Sequence, residues 1–311
     1  MSKMVGGWQY MKIVITGSTG MIGLALINLL KNENIVYAIT RPNSDKIKYI
    51  PQHSNVKIIE CDLNNLSSLE DKIEQADIFF HLGWRGTYGN YRNDIYSQID
   101  NIKITMDAVK LASLLGCKSF VGTGSQAEYG NHNETLTEDT SINPVTPYGI
   151  AKYTSGKLSR LYADELNIKH CWTRILSVYG PGDKKTLIGS CINAILNNQP
   201  FDTTNGDQVW DYIYSGDCAK ALYEIAINGV NNQTYIICSG KKRRLKDYLI
   251  DLKDCINPDY ELGFGKRDYN PNQVMYLTGD ISKLEEDTNF RIETSFKEGI
   301  KKTVEWFKEN N

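Results

Sequence analysis

Two rhythms of apolar residues alternate along this chain. Compact runs rich in β-branched and aromatic residues stand at 12–16, 34–40, 56–63, 76–84, 118–125 and 169–180, and each reads as a strand. Between them, apolar residues return every three or four positions. This spacing predicts helices after the glycine turn at 17–23, over 66–75, over 94–116 (ending on Gly116) and over 147–167. Strands separated by helices need crossover connections, hence a parallel sheet covered on both faces. Right-handed crossovers make that sheet doubly wound. Beyond residue 180 the rhythm loosens. A loop at 181–186, a helix at 187–199, a strand with a helix over 208–229 and a strand at 233–240 precede helices and short strands in 241–311.

Composition narrows the class. The 311 residues are 41% hydrophobic and 23% charged, ordinary for a soluble globular protein. A net charge of −2 supplies no field for nucleic acid or an anionic membrane. The basic run Lys241-Lys242-Arg243-Arg244 reads as a solvated turn. Seven scattered cysteines without a CxxC pair point to reduced thiols and a cytoplasmic protein. Four histidines, none at ligand spacing, give no metal site. Neither a membrane span nor a signal peptide is read, and ordered pattern begins at Met11.

Two motifs carry chemistry. Gly17-Ser18-Thr19-Gly20-Met21-Ile22-Gly23 joins the first strand to the first helix. Glycines there permit a tight turn and close approach of a pyrophosphate, and the helix N-terminus offers free N–H donors. Tyr148 and Lys152, four apart on a predicted helix, are neighbours across one turn. An ammonium beside a phenol favours the phenolate. A depression of about 3 units, worth roughly 4 kcal/mol, would let the tyrosine exchange a proton near neutral pH. In "GTGSQAEYG" (122–130) the fifth strand ends at the carboxyl edge of the sheet, where open α/β folds bind ligands. Gly122 and Gly124 are expected to clear space for ligand, leaving Ser125 free to reach a reacting oxygen.

With these motifs, "CDL" at 61–63, "HLG" at 81–83, Asn101, "PYGIAK", "RILSVYGPGD" and "GDQVWDYIYSGDCAKAL" follow one another in a familiar order. The chain resembles the extended short-chain dehydrogenase/reductases, nucleotide-sugar epimerase/dehydratase/reductase branch, from residue 11 to about 307. The resemblance implies a Rossmann-type sheet domain from 11–176 and 209–240, with a smaller C-terminal α/β substrate lobe from 177–208 and 241–311. It implies hydride transfer at a nicotinamide, with Ser125, Tyr148 and Lys152 catalytic. Asp62 and Leu63 are then expected beside the adenine, and Leu82 and Gly83 beside the adjoining ribose and phosphates. Helices 94–116 and 148–166 would form a homodimer interface.

Two positions depart from the family. Trp210 stands where an arginine usually holds the substrate diphosphate, and an indole cannot make the bidentate contacts of guanidinium. Arg85, Arg92 and Arg267 are candidates for that charge. Gln126-Ala127 replaces the Asp-Glu pair of the dehydratases, removing the acid and base of dehydration. Substrate contacts are expected from Arg85, Ser125, Gln126, Trp210 and Arg267. Past the second strand comes Arg41-Pro42-Asn43-Ser44 with no carboxylate until Asp45, a pattern that suits a 2′-phosphate. NADP is therefore expected through Arg41, Asn43 and Ser44, with NAD the alternative. This places a nucleotide-linked 4-keto-sugar reductase of surface-polysaccharide or deoxysugar biosynthesis first and an NAD-dependent 4-epimerase second. A catalytically silent cofactor-binding regulator would be expected to lack Ser125, Tyr148 or Lys152.

Overall fold

β1 (Met11–Thr16) has its apolar residues Ile13, Val14 and Ile15 wholly buried, as a strand covered on both faces requires. The computed structural model describes residues 10–271 and 273–310. After β1 come α1 (Met21–Leu30), β2 (Asn34–Thr40), β3 (Val56–Glu60), β4 (Ile78–His81) and α2 (Ile95–Leu114). Next follow β5 (Ser119–Ser125), β6 (Thr135–Leu136), α3 (Pro147–Glu165), β7 (Lys169–Ile175) and β8 (Ser177–Tyr179). The remainder is α4 (Leu187–Leu196), β9 (Val209–Trp210), β10 (Tyr212–Tyr214), α5 (Ser215–Asn228), β11 (Thr234–Ile237), β12 (Arg243–Arg244), α6 (Leu245–Ile256), β13 (Tyr276–Gly279), α7 (Ser282–Thr288) and α8 (Phe296–Asn310).

Seven parallel strands form the main sheet in the order β11-β7-β5-β4-β1-β2-β3. This is the doubly wound, Rossmann-type sheet expected. Leu24, Leu26, Ile27 and Leu30 of α1 join Ala219, Leu222 and Ile225 of α5 over one face. Ile104, Ala108, Leu111 and Ala112 of α2 cover the other face against Val14, Phe79 and Phe120. Leu284 of α7 and Phe290 return to the α1–α5 side, so the chain's last part closes the sheet domain as well as the lobe.

A smaller core lies among α4, α6 and α8, built on Ile188, Ile192, Leu249, Ile300 and Phe307. Beside it runs a four-stranded sheet in the order β12-β9-β13-β6 and a ribbon of β8 with β10. The runs expected as single strands at 169–180 and after 208 each divide. β7 leaves the main sheet after Ile175, and β8 pairs with β10 instead. Asp211 separates β9 from β10, its buried carboxylate accepting from the Ser239 N–H at 2.7 Å. These two breaks let the chain pass from sheet domain to lobe around the site.

α3 starts where its sequence says it should. Thr146 Oγ1 accepts from the Gly149 N–H at 3.1 Å, and Pro147 occupies the first turn. Its buried stripe is Tyr148, Lys152, Ser155, Ser159 and Ala163, so the two reactive side chains face the sheet rather than water. All seven cysteines are free, and no helix among the described residues is long and apolar enough to cross a membrane.

Candidate active site

Strand order reverses beside β1, because β2 and β3 lie on one side and β4 on the other. Such a switch point opens a crevice at the carboxyl ends of the strands. Gly17 sits there with φ +71, and a Cβ on it would lie 2.8 Å from the Gly83 nitrogen and the Leu82 carbonyl carbon. A Cβ on Gly23 would come within 2.5 Å of the Gly17 oxygen, so α1 packs tightly under the turn. Gly20 caps α1 with no side chain on its N–H groups, and no acidic residue stands in the first turn. The free N–H groups and the positive end of the helix dipole therefore face the crevice. This cradle fits the pyrophosphate of a dinucleotide.

The crevice continues into a cleft of about 560 Å³ lined by Thr19, Gly20, Met21, Ile22, Leu82 and Gly83 at one end. Ser125, Tyr148, Lys152, Ser177 and Trp210 line it further along. Ser18 is not in the wall. It is buried, with its hydroxyl donating to the Ile15 oxygen at 2.7 Å. Behind the crevice, the Gly83 N–H donates to Thr16 Oγ1 at 3.0 Å, and that hydroxyl lies 3.0 Å from His81 Nδ1. Burial, then the charge of Lys152, pushes His81 down to about 3, so it stays neutral and structural.

Ser125, Tyr148 and Lys152 converge. Ser125 and Tyr148 line the cleft together, and Lys152 Nζ donates to the Thr123 oxygen at 2.6 Å. The ammonium also lies 3.7 Å from the centre of the Trp84 ring and 5.9 Å from that of Tyr148. Burial dominates both titrations. It raises Tyr148 above the ordinary tyrosine value, against the Ser125 hydrogen bond and the charge of Arg92. It lowers Lys152 to about 7, against the charge of Glu128. The guanidinium carbon of Arg92 stands 4.4 Å from the Tyr148 ring centre.

The other expected residues distribute unevenly. Arg92 lines the cleft, but Arg85 does not; its Nη2 pairs with Asp62 Oδ1 at 2.5 Å. Leu63 packs its methyls against Gly83. Gln126 opens a short 3-10 turn just past Ser125. Trp210 donates to Ser177 Oγ at 2.8 Å and faces Arg243 across the strand pair, while Arg243 is held by Asp251 at 2.9 Å. Arg267 is exposed on the lobe, its N–H donating to the Thr203 oxygen at 3.2 Å. At the tip of β2, Arg41 is exposed, Asn43 donates its N–H to Glu60 at 2.6 Å, and Ser44 caps the next turn. Asn101 bonds Arg85 twice through its main chain, at 2.9 Å each, which fixes the strand-to-α2 loop.

Arg174, on β7, is buried against a carboxylate. That carboxylate is Glu128, 2.9 Å away and fully buried. Glu128 escaped the sequence reading, although Ser125 and Glu128 stand at capping-box spacing and the structure forms that box.

The model of the NAD dependent epimerase/dehydratase family matches residues 13–238. A Methanocaldococcus jannaschii protein carrying the provisional name UDP-glucose 4-epimerase is 28% identical over 96% of this chain and 99% of its own length. The dTDP-glucose 4,6-dehydratase of Escherichia coli is 24% identical over 96% of this chain and 94% of its own. The solved UDP-N-acetylglucosamine 4-epimerase of Methanobrevibacter ruminantium M1, in complex with UDP-N-acetylmuramic acid, superposes with a TM-score of 0.89 at 25% identity. That likeness covers 97% of this chain and 99% of the other. Crevice, cleft and matched sequence agree: the chain belongs to the NAD dependent epimerase/dehydratase family, enzymes of the extended short-chain dehydrogenase/reductase type.

Proposed function

We propose that the protein is a nucleotide-sugar 4-epimerase. The observation that carries this reading is the meeting of Ser125, Tyr148 and Lys152 in one cleft with the dinucleotide cradle. Epimerase names among relatives that match along the whole chain support it over the reductase that Arg41 favours. When bound, the nicotinamide dinucleotide takes up and returns a hydride. Tyr148 removes the proton of the sugar 4-hydroxyl and gives it back, and Ser125 hydrogen-bonds the same oxygen. Lys152 holds the nicotinamide ribose. Gly17, Gly20 and the first turn of α1 hold the pyrophosphate, with Asp62, Leu63, Leu82 and Gly83 along the adenosine half. Dehydration is disfavoured, because the turn's carboxylate, Glu128, is buried beneath Ser125 rather than presented to the cleft.

For the substrate, Trp210 forms part of the wall, Gln126 stands on the turn just past Ser125, and Arg92 and Arg267 supply cations for the diphosphate. Arg85 is engaged by Asp62. The free cysteines suit the cytoplasm. Exposed Tyr96, Ile99, Ile150 and Leu161 on α2 and α3 make an apolar face that a second copy would cover.

Arg41 keeps a second reading open: an NADP-dependent 4-keto-sugar reductase. One experiment separates them. Purified protein is incubated with UDP-glucose or UDP-N-acetylglucosamine without added cofactor, and the sugar products are resolved. Formation of the 4-epimer supports the first reading. Turnover only of a 4-keto sugar, with NADPH consumed one for one, would establish the second.

A further inference from the structure

Three glycines in this fold make room for one internal charge. A Cβ on Gly122 would collide with the Trp172 ring, one on Gly124 with Glu128 and the Trp172 indole nitrogen, and one on Gly156 would lie 2.7 Å from that ring. The space so cleared admits Trp172, and Trp172 reaches Glu128. Glu128 Oε1 accepts from the Trp172 indole N–H at 3.0 Å and from the Ser125 main-chain N–H at 2.9 Å. Its Oε2 accepts from Arg174 Nε at 2.9 Å. Arg174 in turn donates to the Tyr129 hydroxyl at 3.0 Å, and Tyr129 donates to the Thr137 oxygen at 2.9 Å.

A buried ion pair of this kind is a poor stabiliser, because desolvation offsets most of the attraction and apolar replacements often serve as well. Its geometry points elsewhere. Both ends of Ser125 are fixed by this turn: its N–H by Glu128, and its Oγ by accepting from the Ala127 N–H at 3.2 Å. The hydroxyl proton of Ser125 remains for the cleft.

We propose that Glu128, clamped by Trp172 and Arg174, is a positioning residue for the reaction: it fixes Ser125 through its backbone and holds a negative charge beneath the Tyr148–Lys152 pair. The proposal rests on the reading of Ser125, Tyr148 and Lys152 as the proton-handling group. Glu128's charge acts on both members of the pair. It favours the ammonium of Lys152 against burial, and it opposes the phenolate of Tyr148. The other groups facing them are His81 towards Lys152, and Arg92 and Tyr88 towards Tyr148. Arg174 and, behind it, Tyr129 and Arg160 face Glu128. Without the carboxylate, Lys152 would lose its proton at lower pH.

The test compares wild type with Glu128→Gln, which keeps an acceptor for Ser125 but removes the charge. The double variant Glu128→Gln/Arg174→Gln also removes the unpaired guanidinium, in case the single variant folds poorly. Lysine side chains are labelled with carbon-13, and the resonance missing in Lys152→Met is followed against pH. The expected result is a Lys152 midpoint lower by about one unit, tenfold in proton affinity, in Glu128→Gln, and a smaller shift of the same sign in the double variant, where loss of the Arg174 charge offsets part of it. Alongside it, kcat on UDP-glucose or UDP-N-acetylglucosamine should fall roughly 10- to 100-fold with KM within about twofold, since the lost interaction serves the reacting centre. A residue that only supports the fold would lower the melting temperature and leave the midpoint in place. An unmoved midpoint, or an unchanged kcat, overturns the proposal. A wild type that turns over neither sugar nucleotide sinks the epimerase reading instead, and the lysine titration then decides the proposal alone.

Discussion

Gly124 and Trp172 compete for one space: a side chain on the glycine would strike the indole nitrogen that Trp172 offers to Glu128. The glycines at the end of β5 were expected to open the backbone to ligand. Gly124 does line the cleft, but its missing side chain, like that of Gly122, makes room for Trp172 on the inner side. Overpacking a well-filled interior costs roughly 1–3 kcal/mol. Gly122→Ala and Gly124→Ala should therefore lower the unfolding free energy by that order, read as a lower denaturant midpoint with an unchanged slope. Alanine tolerated at both positions without loss would mean that Trp172 can swing aside.

How far the sequence carried is clearest at this spot. The strand at 118–125, the helix at 147–167 and the stripe that turns Tyr148 and Lys152 inward follow from local periodicity, so they were legible. The partner of Gly124 was not. Trp172 and Glu128 reach it from a neighbouring strand and from the next turn, and no periodicity encodes such a meeting. The breaks at Leu176 and Asp211 were hidden for a similar reason. Both lie inside runs that read as one strand, and only long-range pairing of β8 with β10 shows where the chain leaves the sheet. Arg85 illustrates the same limit, since its pairing with Asp62 joins loops 23 positions apart.

At the switch point, Gly17 combines φ +71 with close backbone on the facing strand's exit. Gly17→Ala strains the backbone and pushes a methyl into Leu82 and Gly83. Dinucleotide affinity, measured by calorimetry, should fall at least tenfold, about 1.4 kcal/mol. Affinity equal to wild type would remove this turn from the cofactor site.

Tyr148→Phe should cut turnover by about 10²–10⁴ while leaving dinucleotide affinity nearly intact, since the ring still packs. Arg92 gives this assignment a pH test. Its charge pulls the Tyr148 hydroxyl down against burial, so the phenolate forms at lower pH than it otherwise would. Arg92→Leu removes that pull. The acidic limb of the kcat profile should then move to higher pH, and a limb that stays in place would separate Arg92 from the tyrosine.

Tyr96 and Leu161 are 82% and 67% exposed on α2 and α3, an unusual cost for large apolar side chains on a lone molecule. In the homodimer reading a second copy covers them. Leu161→Asp should shift the sedimenting species to the mass of one chain without disturbing its circular dichroism. A wild type that already sediments as one chain at micromolar concentration would leave this face without its partner.

Buried histidines set the acid side of stability. His81 and His170 are both pushed from 6.5 to about 3, chiefly by burial. The unfolded chain therefore binds more protons than the folded one below pH 6.5, and stability falls as pH drops from there towards 3. At pH 5 each histidine costs about 2 kcal/mol relative to neutral pH. Lys152 adds no slope in this window. It is lowered from 10.5 to about 7, so its effect is to make stability rise with pH between those values. Asp211, Asp217 and Glu138 are raised by burial and act with the opposite sign, which blurs any single curve. A variant isolates one histidine. His170 lies between Phe120 and Trp172 with ring centres 5.7 and 6.3 Å away, its Nε2 is 2.9 Å from Ser159 Oγ, and its Nδ1 is unpartnered among the described residues. Phenylalanine fits that stack and cannot take a proton. Between pH 7.5 and 5, His170→Phe should gain about 2 kcal/mol on wild type in unfolding free energy. A difference that stays constant across the two pH values would show that His170 titrates in the folded protein as it does in the unfolded chain.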